Sequence, residues 1–95
     1  MLTHVVVLQF ESLDHAEACK TELLGMEGRI DSLRAIEAGV DVLRSERSWD
    51  LALITRFDDL AGLKAYAVHP VHLEVLEFIR PRAKGVVTVD FQGSP

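Results

Sequence analysis

The chain of 95 residues is 48% hydrophobic and 26% charged, which is typical of a globular chain and predicts one domain over residues 1–95. Fifteen acidic against ten basic residues give a net charge of −5. Because no basic run is present, this balance argues against nucleic acid and anionic membranes as partners. No apolar run approaches the roughly 20 residues of a membrane helix, and the first ten residues lack the basic start of a secretory signal. Cys19 is the only cysteine, so no internal disulfide can form, and we expect a cytoplasmic protein.

The first apolar segment, Leu2 to Phe10, is short and rich in valine, which predicts a β-strand. Both faces of this strand are largely apolar. The alternating residues are Val5 and Val7 on one face, and His4, Val6, Leu8 and Phe10 on the other. A strand that is apolar on both faces is normally covered on both faces.

A helix and a second strand are predicted next. Asp14 and Glu17 have the spacing of a capping box at the start of the helix, and apolar residues then recur at spacings of three and four. These residues are Ala16, Cys19, Leu23, Met26 and Ile30. We therefore interpret Cys19 as a core residue rather than a nucleophile. Apolar alternation from Leu33 to Leu43 predicts a half-buried strand.

The segment from Trp49 to Phe57 predicts a third strand. Its expected apolar face consists of Trp49, Leu51, Leu53 and Phe57. Arg47 and Asp50 flank the start of the strand, either as a surface ion pair or with Arg47 attracting a substrate carboxylate. Asp58 or Asp59 is the expected N-cap of a second helix.

Pro70 interrupts the second helix, because proline lacks the backbone donor that a helix interior requires. A shorter helix from His72 to Arg80 is predicted to follow. Gly85 then opens the last strand, Val86 to Phe91, and we expect a frayed tail over Gln92 to Pro95.

The predicted order is β-α-β-β-α-β with a broken second helix, which is a ferredoxin-like α+β fold with an antiparallel four-stranded sheet. This connectivity places the helices on one face of the sheet and leaves the other face bare. Because the strands are apolar on both faces, the bare face would be a large exposed apolar patch. The simplest solution is a second sheet from an identical subunit. We therefore predict a homodimer in which two sheets form a dimeric α/β barrel.

Four side chains are candidates for proton-transfer chemistry. Tyr66 ends the second helix, His69 and His72 flank Pro70, and His4 lies on a mostly apolar strand face. We assign catalytic roles to His72, Tyr66 and His4, since imidazoles serve as bases near neutral pH and a phenol can stabilise an oxyanion. The structural alternatives are that His69 caps the C-terminus of the second helix, that His72 is a partly exposed first-turn residue, that Tyr66 is an amphipathic core residue and that His4 is a hydrogen-bonded core residue.

A ligand-binding role is assigned to His69, Trp49 and Leu51. We predict neither a metal site nor a cofactor. No cysteine or carboxylate lies at a recognised ligand spacing from the histidines, and Glu74 lies only two residues after His72, on a different side of the helix.

Three stretches resemble the stress-responsive dimeric A/B-barrel domain family. They are residues 4–10, residues 45–51 and residues 58–72, and the likeness extends from about His4 to Phe91. This resemblance implies the dimeric barrel fold. One plant member of the family is a polyketide cyclase that catalyses an intramolecular aldol condensation.

The motif of that enzyme is similar to Tyr66, His69, Pro70 and His72, and its N-terminal strand histidine is similar to His4. There the last histidine of the motif is the base, assisted by the tyrosine and by a histidine on the third strand. Leu51 occupies the place of the third-strand histidine in this chain.

Several functions are therefore open. The first is a homodimer that binds a small, mostly apolar molecule between sheet and helices, with acid/base catalysis by histidine and tyrosine. The alternatives are a non-enzymatic stress-related structural protein, a lyase similar to the polyketide cyclase, and a cofactor-free oxygenase of the wider dimeric barrel class. The volume of the cavity between sheet and helices separates the binding function from the structural one.

Overall fold

The computed structural model describes residues 1–93, so the predicted tail of residues 92–95 lies partly outside the described residues. The seven elements are β1 (Leu2–Phe10), α1 (Leu13–Leu24), β2 (Ala35–Val40), β3 (Leu51–Phe57), α2 (Leu60–Ala67), α3 (Pro70–Ile79) and β4 (Ala83–Gln92). In this part of the chain, no helix has both the length and the apolar character needed to cross a bilayer.

The four strands form one antiparallel sheet in the order β2-β3-β1-β4. This order and the two helical connections confirm the predicted ferredoxin-like α+β fold with a broken second helix. β1 lies in the centre, where Val6 pairs with Leu53 of β3 and with Thr88 of β4. The central position explains why β1 is the most continuously apolar strand of the chain.

The helices cover one face of the sheet and bury its core. Val6, Leu8 and Phe10 point into this core, and they meet buried residues of all three helices. The helical core residues are Ala16, Cys19, Leu23, Tyr66, Val75 and Ile79.

The opposite side of the sheet carries an apolar surface that none of the three helices within residues 1–93 covers. We call it the open face, and its residues are Val5, Val7, Ala52, Ile54, Val87, Val89 and Phe91. The β4 members remain well exposed, with exposed fractions of 52% for Val87, 63% for Val89 and 46% for Phe91. The two-sided apolarity of β1 is therefore explained by a helix-covered face and an open face.

The start of α1 differs from the sequence prediction. Ser12, rather than the Asp14 and Glu17 pair, is the N-cap, and its side-chain oxygen accepts a hydrogen bond from the His15 N–H at 3.3 Å. The helix ends at Leu24, but the chain stays close to the core and buries Met26 beyond it. The apolar residues at spacings of three and four therefore extend beyond the end of the helix, to Met26.

The β2–β3 connection also differs from the prediction. β2 ends at Val40, and Val42 is 93% exposed. The predicted Arg47–Asp50 pair is wrong, because Arg44 takes this place with an Nη2 to Oδ1 distance of 2.7 Å to Asp50. Arg44 has a φ of 55°, and this left-handed turn brings its guanidinium to Asp50.

Asp50 is buried and also accepts a hydrogen bond from the Phe10 N–H at 2.7 Å. Burial raises the pKa of Asp50, but the Phe10 N–H and Arg44 outweigh burial, so the pKa is lower than usual. The Asp50 carboxylate therefore links the start of β3 to the end of β1.

The break before α3 falls at Pro70 as predicted, but α3 begins at Pro70 itself, two residues before the predicted start at His72. Asp59 caps α2 and accepts a hydrogen bond from the Gly62 N–H at 2.9 Å. α3 begins at Pro70, where the missing N–H of proline costs nothing because the first helical donors have no intrahelical partner.

Candidate functional site

A cavity of about 290 Å³ lies between the helix-covered face of the sheet and α3. Most of its wall is aliphatic. The apolar lining residues are Val6, Leu8, Leu23, Leu53, Leu76, Ile79 and Val86, and the polar ones are His4, Tyr66, His72, Arg80 and Thr88. Side chains therefore do not fill the space between the sheet and α3 completely, and ligand binding there remains a prediction.

Three of the predicted site residues meet at this cavity. His4 comes from β1, Tyr66 from the last turn of α2 and His72 from the first turn of α3. The ring centroids of Tyr66 and His72 are 4.2 Å apart, and those of Tyr66 and His4 are 6.3 Å apart. The helix break at Pro70 is what allows Tyr66 and His72 to face each other. The catalytic roles of these residues remain a prediction.

The His72 ring is held in one tautomer. Its Nδ1–H donates a hydrogen bond to the Ala67 carbonyl oxygen at 3.0 Å, and a carbonyl oxygen can only accept. In the neutral ring, Nε2 therefore carries the lone pair. Burial lowers the pKa of His72, the hydrogen bond to Ala67 opposes this effect, and the nearby basic side chains of His4, Arg80 and His69 lower the pKa further. A neutral imidazole with a free Nε2 is suited to act as a base.

Tyr66 offers a hydroxyl that no described residue engages. The side chain is buried against Phe57, with the ring centroids 5.0 Å apart. Within residues 1–93 its hydroxyl makes no hydrogen bond. Burial raises the pKa of Tyr66 well above the usual value, so the phenol is neutral and keeps its proton as a donor. An unpaired buried hydroxyl is costly, and a ligand oxygen would relieve that cost.

His4 has a partner that the sequence analysis missed. Its Nδ1 is hydrogen-bonded to the carboxylate of Asp90, which lies directly opposite it in the β1–β4 pairing. The carboxylate fixes the orientation of the imidazole. Only the register between β1 and β4 could have revealed this pair, and the two residues are 86 positions apart.

The structure does not bring His69, Trp49 or Leu51 to this cavity. His69 is the N-cap of α3, and its Nδ1 accepts the Val71 N–H at 3.1 Å. The predicted alternative, a cap at the end of α2, is wrong, because His69 caps the start of α3 instead. Trp49 and Leu51 border a separate depression that includes Val7 of the open face.

The described residues around His4, Tyr66 and His72 form no metal-binding cluster. Among residues 1–93, no group of three or more His, Cys, Asp or Glu side chains is placed to hold a metal ion. Cys19 is buried in the core, and burial raises the pKa of its thiol.

This geometry defines a class of protein, namely small ferredoxin-like domains in which one face of the sheet is apolar and uncovered. The stress responsive A/B barrel domain model matches residues 2–92, and the chain belongs to that family. No curated protein matches the chain.

Solved structures agree with this fold. A dimeric protein of unknown function and ferredoxin-like fold from Bacteroides fragilis is 24% identical, with a TM-score of 0.87 over 97% of this chain and 95% of the other. A dimeric ferredoxin-like protein of unknown function from Thermobifida fusca is 26% identical, with a TM-score of 0.84 over 95% and 88%. A hydroxynitrile lyase from Passiflora edulis is 13% identical, with a TM-score of 0.80 over 95% and 90%.

Proposed function

We propose that this protein binds a small, mostly apolar molecule in the cavity and catalyses a proton transfer on it. His72 is the base, Tyr66 donates a hydrogen bond to the oxygen that gains negative charge, and His4 is a second polar contact. The observation that carries this proposal is the convergence of one neutral imidazole and one unpaired phenol on the same aliphatic cavity.

The cavity sets the size and polarity of the ligand. A volume of about 290 Å³ is at the lower end of the range for ligand pockets. It equals roughly ten waters at liquid density, so it accommodates about ten non-hydrogen atoms. The aliphatic wall favours a hydrocarbon body, and the His72 and Tyr66 side chains favour a carbonyl or phenolic oxygen beside them.

The chemistry follows from the protonation states. The Nε2 lone pair of His72 removes a proton next to a carbonyl, and the Tyr66 hydroxyl donates to the resulting oxyanion. Positioned proton transfer of this kind contributes roughly 10²–10⁴-fold to a rate. Polyketide cyclization is less favoured, because Leu51 stands where the cyclase has an assisting histidine and lies outside this cavity. The lyase name of one structural relative belongs to a 13% identical protein, so it carries no reaction to this chain.

We also infer that two copies pair through their open faces. The apolar residues of that face support this arrangement, as do the two dimeric relatives. The paired sheets would form the barrel, with one cavity on the outer, helix-covered side of each sheet.

Native mass spectrometry of the protein purified from its own host tests the binding function. We expect a retained small molecule in the wild type and in Val68→Trp, because Val68 is exposed and lies outside the cavity. We expect none in Val86→Trp, which places an indole in the cavity from a half-exposed strand position. Equal retention by both variants, or none in the wild type, would contradict the proposal.

The molecule identified in this way then serves as the substrate in a test of the proposed catalysis. His72→Gln should still bind it but turn it over at least 100-fold more slowly than the wild type. His69→Gln is the matched control, because that histidine caps α3 and does not line the cavity. Unchanged turnover in His72→Gln would exclude His72 as the base.

A further inference from the structure

Besides His4, Tyr66 and His72, the cavity is lined by a permanent cation, Arg80. Arg80 follows the last residue of α3 and lines the cavity together with Ile79 and Val86. His72 is in the first turn of the same helix, eight residues earlier, so the two backbone positions are about 12 Å apart along the helix axis. Between them the wall is aliphatic.

The Arg80 guanidinium has no carboxylate partner within residues 1–93. The ion pairs there involve other basic residues, namely His4, Arg34, Arg44 and Lys84. Neighbouring Arg82 instead stacks on the Phe78 ring and donates to the Phe78 carbonyl oxygen. A positive charge at the end of α3 also complements the helix dipole. That effect accounts for a cation at this position but not for its place on the cavity wall.

We propose that the ligand is a carboxylate, with its anionic group at Arg80, its apolar body along the aliphatic wall and its reacting oxygen between Tyr66 and His72. An arginine fork matches a carboxylate in shape as well as charge. This inference rests on the proposed function, because it concerns the ligand of the same cavity. It makes Arg80 the residue that determines specificity for anionic over neutral molecules of equal shape.

The charge of a bound ligand should affect the pKa of His72, the proposed base. Arg80 is one of the groups that lower the pKa of His72, together with His4 and His69, and Asp90 faces the same region through its bond to His4. A bound carboxylate neutralises Arg80. The pKa of His72 should therefore be higher in a carboxylate complex than in the complex of the matching amide.

Calorimetric titration of paired probes tests the assignment. The probes are trans-cinnamate with trans-cinnamamide and octanoate with octanamide, which share a shape and differ in charge. We expect the wild type to bind each carboxylate roughly tenfold more tightly than its amide, since a charge-assisted hydrogen bond at an exposed site is at the low end of its range. Arg80→Gln should lose this preference, and Arg80→Lys should keep part of it.

Arg29→Gln is the matched control. It removes the same charge from an exposed position outside the cavity, so a general effect of net charge would appear in both glutamine variants. Equal binding of carboxylate and amide by the wild type would overturn the role of Arg80 and leave the cavity as a binding site. Binding of neither probe would overturn both proposals. If Arg80→Gln still prefers carboxylates to amides, another residue causes the preference and the role of Arg80 is refuted.

Discussion

Val7→Asp places a carboxylate at the centre of the open face. Val7 pairs with Ala52 of β3 and Val87 of β4, so its side chain points away from the helices. In the monomer this face meets water, and the aspartate is tolerated. In a dimer joined through the open faces, the symmetry places two such carboxylates between the sheets.

The effect on dimerisation can be estimated from the position of Val7. Since this side chain is already half-buried in the single subunit, the lost burial is about 1.5 kcal/mol, the low end for a valine. Desolvating the unpaired carboxylate costs at least about 2 kcal/mol more. Two copies give a loss of about 7 kcal/mol per dimer, which corresponds to roughly five orders of magnitude in Kd.

Sedimentation velocity at micromolar concentration measures this change. The wild type should sediment at about twice the 10.6 kDa chain mass. Val7→Asp should sediment as a monomer, and circular dichroism should show that it is folded. Val68→Asp, on the helical side, should stay dimeric. If Val7→Asp unfolds, Val89→Asp repeats the test from a more exposed position on the same face. A folded wild-type monomer, or a Val89→Asp dimer of unchanged affinity, would refute the open-face interface.

Three further outcomes are expected from denaturant titrations. Tyr66→Phe should be as stable as the wild type or up to about 1 kcal/mol more stable, because it removes an unpaired buried hydroxyl; a clear loss would mean that the hydroxyl has a partner. Because the pKa of His72 is lower in the folded chain than its ordinary 6.5, the unfolded chain binds more protons below that pH. The wild type should therefore lose more stability than His72→Gln as the pH falls from 7 to 5, and parallel curves would contradict the lowered pKa. Asp50→Ala should cost about 2–3 kcal/mol, because it leaves the Phe10 N–H and Arg44 without their acceptor. The same change at Asp58, whose pair with Arg34 is exposed, should cost less than about 1 kcal/mol, and equal losses would refute the role of burial.

Local patterns predicted the elements and their order well. The valine-rich segment at residues 2–10 identified the central strand, because only a strand covered on both sides is apolar on both faces. Asp59 and Pro70 marked the start of α2 and the break before α3, since both act within a few residues of their own position. The same locality made the meeting of Tyr66 and His72 predictable.

Features that depend on strand register were not predictable. The pairing of His4 with Asp90 requires knowing which residue of β4 lies opposite which residue of β1. Arg80 was expected only as the end of a helix, and its place on the cavity wall depends on how α3 crosses the sheet. Arg44 replaced Arg47 as the partner of Asp50 because of one left-handed residue, which arginine rarely adopts and no pattern indicated.

The most direct test of His72 as the catalytic base is a nitrogen-15 NMR titration of its imidazole. We predict that at neutral pH the proton is on Nδ1 and Nε2 is unprotonated, with a pKa lower than the ordinary value, and that a ligand in the cavity shifts the Nε2 resonance. A proton on Nε2 would leave no lone pair for the substrate and would contradict the proposed chemistry, and a pKa higher than the ordinary value would contradict the buried environment of the imidazole.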